Sequence, residues 1–262
     1  KKKKMFTKSI HALFFFLVTV LFMSCNGCKD KPAVVEGSGI VNVVFQPKWG
    51  DQPFVMQQEY LDSYGTRFRC DRFQQYVSMM SLVDENGSSV QLKDFILLNF
   101  LNANTFSFTL PEGNYNSIQL GLGVPRAYNK DQDPTQYPSS HPLSIQGNQG
   151  MFWTWNSGYI FSKFEGKCDD SPDGLGELLT PIAIHAGNDT CYREVALGGL
   201  SLNISSSQER TLYIDFDVQK ILTNPNGGAI DIAVDGVTHT STNERLAITY
   251  SDNLATSLSV HQ

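Results

Sequence analysis

The sequence predicts an all-β fold: an immunoglobulin-like β-sandwich that forms a single domain with one short C-terminal helix. Three observations favour it. Short apolar runs alternate at the period of a strand, turn signals separate these runs, and one stretch near the C-terminus has the period of a helix. Short strands with frequent turns and few helices are typical of two sheets packed face to face.

The strands are predicted in order along the chain. Residues 40–47, IVNVVFQP, form the first strand. Residues 76–92 predict a hairpin, because an Asn-Gly pair lies between two apolar runs. Residues 105–124 predict a second hairpin, with its turn at residues 111–113. Residues 210–218 alternate apolar and polar side chains and predict a further strand.

The single helix is predicted within STNERLAITYSDNLA. Ser241 stands three residues before Glu244, which is the spacing of a capping box. Leu246, Tyr250 and Leu254 recur every four residues and would form the buried stripe.

Residues 1–24 predict a signal peptide. Five lysines and no acidic residue accompany the apolar residues 12–23, which are too few to span a bilayer. The ending LFMSC resembles a lipobox, which implies cleavage before Cys25 and attachment of lipid, such as palmitate, to that cysteine. An ordinary signal peptide with an incidental cysteine is the alternative.

The mature chain then divides into two parts. Residues 25–39 predict a polar, lipidated tether, and residues 40–262 predict one domain whose extra length lies in loops around residues 128–143 and 168–191. We therefore expect an outer-membrane lipoprotein in the cell envelope of a Gram-negative bacterium, on its periplasmic or surface face, bound to the membrane through its lipid anchor.

The charge of the mature chain argues against one class of partner. Loss of the signal peptide leaves 15 basic residues against 26 acidic ones, a net charge of −11. Because the sequence has no basic stripe interleaved with aromatic residues, we do not expect it to bind nucleic acid.

The cysteines predict one disulfide. Cys168 and Cys191 bracket a segment rich in Gly, Pro and Asp, and an exported protein meets an oxidising compartment. A bridge between them would stabilise the fold by about 3 kcal/mol. Cys28 and Cys70 are left over, and whether they pair remains open.

Catalytic motifs are missing from the sequence. It contains no HExxH, no G-x-S-x-G and no glycine-rich loop that opens a helix. We therefore expect a binding protein rather than an enzyme.

The histidines of the mature chain suggest a metal site. His141, His185 and His239 all lie at predicted strand ends or in loops, where a β-sandwich builds its sites and where they could meet at one rim. Imidazole and thioether ligands suit Cu(I). The alternative is that each histidine is an ordinary hydrogen-bonded loop residue.

The segment GMFWTWNSGYIFSKFEG supplies further candidate ligands. Met151 carries a thioether, and Trp153 and Trp155 would project from the same face of a strand. These tryptophans would form either a buried aromatic wall or part of the site.

This segment also carries a resemblance to a known family. Together with LPEGNYNSIQLGLGVP before it and THTSTNERLAITYSDNLATSLSV after it, G-M-F-W-x-W-x-S-G-Y-x-F resembles the MbnP-like family. Members are copper-binding proteins associated with methanobactin gene clusters and related clusters. The resemblance extends over roughly residues 41–260.

The resemblance implies an exported copper-binding domain. In better understood members, a diheme peroxidase-like partner oxidises one tryptophan to kynurenine, which helps to bind copper beside histidines. Trp153 and Trp155 match the aromatic segment, and His185 and His239 match the histidines that follow it.

The chain departs from this pattern at one position. Copper-binding members have Asn-His where this chain has Asn129-Lys130, so one ligand is missing unless His141 replaces it. The competing function is a surface lipoprotein that binds a glycan or a protein without metal.

Overall fold

The structure, a computed structural model, describes residues 37–153, 158–223 and 228–262. The first half of the described chain consists mainly of strands: β1 Ser38–Trp49, β2 Gln52–Pro53, β3 Glu59–Leu61, β4 Arg67–Asp84, β5 Ser89–Asn99, β6 Asn104–Pro111, β7 Gly113–Leu122, helix α1 Arg126–Asn129 and β8 Phe152–Trp153. The second half adds β9 Gly158–Cys168, β10 Thr180–Gly187, β11 Arg193–Ile204, β12 Glu209–Asp217, helix α2 Val218–Thr223, β13 Gly228–Ala229, β14 Val237–Thr238, helix α3 Glu244–Thr256 and β15 Leu258–His261.

These strands form two sheets. The small sheet has the order β15-β12-β1-β2, and β6 also pairs with β1. The large sheet has the order β11-β7-β4-β9-β10-β14, with β3 and β5 on β4 and with β8 on β9. Strands β1 and β12 run parallel although many elements separate them in the chain.

The core lies between the two sheets. Phe216 of the small sheet contacts Phe73 of the large sheet with ring centroids 6.2 Å apart, and Phe45 packs beside Phe216. Phe164 of β9 lies 5.7 Å from Phe73 and extends the same aromatic layer. This packing confirms the all-β sandwich that the sequence predicts.

Several predicted elements are confirmed. The first predicted strand is β1, the hairpin of residues 76–92 lies within β4 and β5, and the strand of residues 210–218 is β12. The predicted helix is α3, and its apolar stripe of Leu246, Tyr250 and Leu254 is buried.

The second predicted hairpin is wrong. Strands β6 and β7 do form, but β6 pairs with β1 in the small sheet and β7 pairs with β4 and β11 in the large one. The turn at residues 111–113 therefore carries the chain from one sheet to the other. A turn signal predicts a change of direction, and it does not predict which strand becomes the partner.

The predicted capping box is also wrong. The residue that caps α3 is Asn243, whose side-chain oxygen accepts a hydrogen bond from the backbone N–H of Leu246. Ser241 is exposed and stands two residues further from the helix.

The structure does not contain the predicted Cys168–Cys191 disulfide. Both residues are free and buried. The segment between them is not a loop, because it contains β10, whose first residue, Thr180, pairs with Cys168. Strand β10 is about 24 Å long, and Cys191 follows its far end, whereas the two Cα atoms of a disulfide lie within about 7 Å of each other.

Residues 1–36 lie outside the described part of the chain. The predicted signal peptide, Cys25, Cys28 and most of the predicted tether fall there. Among the described residues, no helix is both long and apolar enough to cross a membrane.

Candidate functional site

Two histidines lie in contact beside the large sheet. His185 belongs to β10, where Ile184 and Ala186 point into the core and His185 points to the opposite face. His239 directly follows β14, which runs parallel to β10. The ring centroids of His185 and His239 are 4.7 Å apart, and the ring planes are inclined at 84°.

A buried threonine fixes the backbone around this pair. The Oγ1 atom of Thr240 donates a hydrogen bond to the carbonyl oxygen of His185 (3.0 Å) and accepts one from the N–H of Gly187 (2.9 Å). The N–H of His239 donates to Oγ1 of Thr242 (3.0 Å). These bonds hold the segment after β14 against the end of β10.

Glu165 of β9 determines which nitrogen of His185 carries the proton. Its Oε1 atom lies 2.7 Å from Nε2 of His185, and this hydrogen bond is the largest of the effects that lower the pKa of Glu165. An ionised carboxylate can only accept, so Nε2 must donate, and in the neutral ring Nδ1 then carries the lone pair. The Nδ1 atom is buried and has no hydrogen-bond partner among the described residues.

The surroundings of His239 favour the neutral form of its ring. Burial is the main effect that lowers its pKa, and the charges of His185 and Lys163 lower it further, against an opposing effect of Glu165. The His239 ring can therefore offer a nitrogen lone pair near neutral pH.

Trp153 lies at the same end of β10 as the histidine pair. A Cβ atom on Gly187 would lie 2.6 Å from Cζ3 of Trp153, so the indole occupies the space that a side chain at position 187 would need. Only 5% of Trp153 is exposed. Trp155 lies outside the described residues.

The segment before Trp153 is fastened to β9. The ammonium of Lys163 donates to the carbonyl oxygen of Gly150 (3.1 Å), and the N–H of Ile160 donates to the carbonyl oxygen of Met151 (3.0 Å). The side chain of Met151 is fully buried in the hydrophobic core.

His141 lies apart from the pair. Its ring stacks on Tyr137 at 4.5 Å and meets the edge of Phe95 at 5.9 Å, over β5. Its Nδ1 atom accepts a hydrogen bond from the N–H of Leu143 (3.1 Å). Burial lowers the pKa of His141, with a smaller contribution from Lys93. The structure therefore does not bring this histidine to His185 and His239.

Lys130, where the family pattern has histidine, follows α1 and is exposed. It lines an open cleft of about 350 Å³ together with Gly158 and Asn188. Gly158 is the strand partner of Trp153, so this cleft borders the aromatic segment.

A larger open cleft, of about 490 Å³, lies on the small sheet and contains Asp215 and Asp217. The carboxylates of Asp215 and Asp217 already accept hydrogen bonds. Asp217 accepts from the N–H groups of Gly50 and Gln219, and Asp215 accepts from Nε2 of Gln46. The unpartnered imidazole nitrogen makes the histidine pair the stronger candidate site.

The histidine pair has few neighbouring side chains that could serve as further metal ligands. Within residues 37–153, 158–223 and 228–262, no group of three or more His, Cys, Asp or Glu side chains could hold a metal ion. Glu165 does not add a third, because Arg72 (3.3 Å), His185 and Lys163 surround it.

Sequence reasoning missed Glu165, Lys163 and Thr240. Lys163 and Glu165 do leave a signal in the sequence, since they are the charged residues of the segment YIFSKFEG and share one face of a strand. Their strand partners depend on the register of β9 against β10, which the sequence does not reveal.

Two comparisons with known proteins found a match. The family model MbnP matches residues 38–241. A solved structure, MbnP from Methylosinus trichosporium, is similar to the chain with a TM-score of 0.49 and 16% identity, over 70% of this chain and 77% of that one. No curated protein sequence matches the chain. Because the family model spans well over half of its length, the chain belongs to the MbnP family.

Proposed function

We propose that this MbnP-family protein binds copper as Cu(I), through His185 and His239, and that it acts as a binding protein rather than an enzyme. One observation carries the proposal. A buried imidazole nitrogen, Nδ1 of His185, has no partner among the described residues and lies on a ring that contacts a second imidazole. Leaving a buried polar atom unpaired costs about 1–3 kcal/mol, and a bound metal ion would recover this cost.

The residues present fit a copper ion. Neutral imidazole nitrogens are good ligands for copper, and the lowered pKa of His239 favours its neutral form. The Glu165–His185 contact is the arrangement in which a carboxylate orients a metal-binding histidine through its other nitrogen. Glu165 would fix the ring, and His185 and His239 would hold the ion.

The position of Trp153 favours metal over glycan. A tryptophan that stacks on a sugar must expose its ring, whereas Trp153 is 5% exposed and packs on Gly187. A diheme peroxidase-like partner that oxidises a tryptophan is part of this proposal. Mass spectrometry of protein made with and without that partner would test it, because conversion of tryptophan to kynurenine changes the peptide mass.

The copper proposal is tested by competition with a Cu(I) chelator. We expect the purified domain to bind about one equivalent of Cu(I). Loss of an outer-shell residue typically costs 10–100-fold in metal affinity, so His185→Ala and His239→Ala, which remove a ligand, should each cost more than about 100-fold. His141→Ala and His261→Ala are the controls and should leave the affinity unchanged. Equal affinity in all four variants would contradict the proposal.

We further propose that the protein is anchored in the cell envelope, at the outer membrane, through lipid on Cys25. The basic start, the short apolar core and LFMSC support this. Cys25→Ala should abolish incorporation of labelled fatty acid and leave the precursor uncleaved in a Gram-negative host. Labelling that persists in the variant would refute the anchor.

A further inference from the structure

A buried ammonium lies beside the histidine pair. Lys163 is 6% exposed, and its Cα is the cross-strand partner of the Cα of His185. Its Nζ atom lies 4.0 Å from Oε1 of Glu165, which is itself 2.7 Å from Nε2 of His185. The ammonium and the His185 ring are therefore separated by no more than about 7 Å.

Fixed charges of both signs lie next to the pair. The carboxylate of Glu165 and, with a smaller effect, the ammonium of Lys163 act on the His239 ring. Arg72 adds a second cation, 3.3 Å from the other oxygen of Glu165. A lysine is seldom buried so deeply unless it is paired, and burial lowers the pKa of Lys163. The ammonium donates to the carbonyl oxygen of Gly150 (3.1 Å), which fixes its position beside the pair.

Two neutral imidazoles alone do not discriminate between copper and zinc, because both metals accept nitrogen ligands. Repulsion by a fixed positive charge is twice as large for a divalent ion as for a monovalent one at the same place. Salt screens this repulsion only weakly when the fixed charge is buried.

We propose that Lys163 is a specificity-determining residue, which shifts the preference of the His185–His239 pair towards a monovalent ion, Cu(I) or Ag(I), and away from a divalent ion such as Zn(II). This inference rests on the proposed copper function and deepens it. Arg72 contributes in the same direction but less, since its side chain is 47% exposed.

The test compares dissociation constants for Ag(I) and Zn(II) in the purified full domain, by competition with chelators at fixed salt. Lys163→Met removes the charge and keeps the length of the side chain. Lys167→Met is the matched control, because Lys167 lies on the same strand and is exposed. Glu165→Gln removes a negative charge and keeps a side-chain oxygen that can accept from Nε2 of His185.

We expect Lys163→Met to raise Zn(II) affinity about tenfold more than Ag(I) affinity. Lys167→Met should leave the Zn(II)/Ag(I) affinity ratio unchanged, and Glu165→Gln should shift it in the opposite direction.

A purely structural role of Lys163 and Glu165 would lower the affinity for both ions together in both variants. An unchanged Zn(II)/Ag(I) ratio in folded Lys163→Met would overturn the inference and leave the copper site intact. Should Lys163→Met not fold, Lys163→Gln, which also removes the charge and keeps a polar end that can donate to Gly150, decides in the same way. If the wild type binds neither Ag(I) nor Cu(I), the proposed function fails and this inference fails with it.

Discussion

At the scale of single residues, the candidate site depends on side chains that prepare two imidazoles without contacting any ligand themselves. Glu165 fixes the proton on Nε2 of His185, and Thr240 holds the backbone of that residue. The sequence, through its resemblance to a family, indicated His185 and His239. It did not indicate Glu165 or Thr240, because a carboxylate and a hydroxyl are common on any surface and acquire a role only through their neighbours.

Gly187 gives the first residue-scale prediction. A Cβ at this position would lie 2.6 Å from the Trp153 ring and 2.7 Å from the carbonyl oxygen of Tyr159. Gly187→Ala should therefore displace the indole and cost about 1–3 kcal/mol of the free energy of unfolding. Chemical denaturation measures this loss, and a shift of tryptophan fluorescence should accompany it.

The matched control is Gly198→Ala, because no atom lies within 4 Å of a Cβ built on Gly198. Its stability should stay close to that of the wild type. Equal stability of the Gly187→Ala variant and the wild type would show that Trp153 does not occupy the space above Gly187.

At the scale of elements, local pattern predicted which stretches become strands or helix, and it did not predict their partners. Alternation identified β1 and β12, and the spacing of Leu246, Tyr250 and Leu254 identified α3. Strands β6 and β7 were also found, but their turn connects two sheets and does not close a hairpin. These patterns do not separate strand β10, which carries His185, from the Gly/Pro/Asp-rich stretch that precedes it.

The cap of α3 gives an element-scale prediction. Asn243 caps the helix through its side-chain oxygen, and its side-chain nitrogen donates to Asp235 (2.5 Å). Asn243→Ala should lower the free energy of unfolding by about 1 kcal/mol. Ser241→Ala removes the residue that the capping-box spacing favoured and should change stability by no more than about 0.5 kcal/mol. Urea denaturation of the two variants separates the alternatives, and a larger loss in Ser241→Ala would contradict the observed cap.

At the scale of the whole molecule, the site exists because the large sheet brings three distant parts of the chain together. Strand β9 supplies Glu165, β10 supplies His185, and the parallel pairing of β14 with β10 brings His239 to them. Strand β14 has only two residues, and its parallel pairing with β10 leaves no local signal in the sequence. Composition and turn signals were sufficient to predict the sandwich. The place where the three strands meet depends on the register of the large sheet, which the sequence does not reveal.

Nitrogen-15 spectra of the histidine rings, recorded before and after addition of one equivalent of Cu(I), test the proposed copper site most directly. We expect His185 of the metal-free protein to carry its proton on Nε2, and we expect Cu(I) to shift Nδ1 of His185 and one nitrogen of His239. The rings of His141 and His261 should not change. A proton on Nδ1 of His185 in the metal-free protein, or a His185 ring that does not respond to Cu(I), would contradict the assignment of this histidine pair as the copper site.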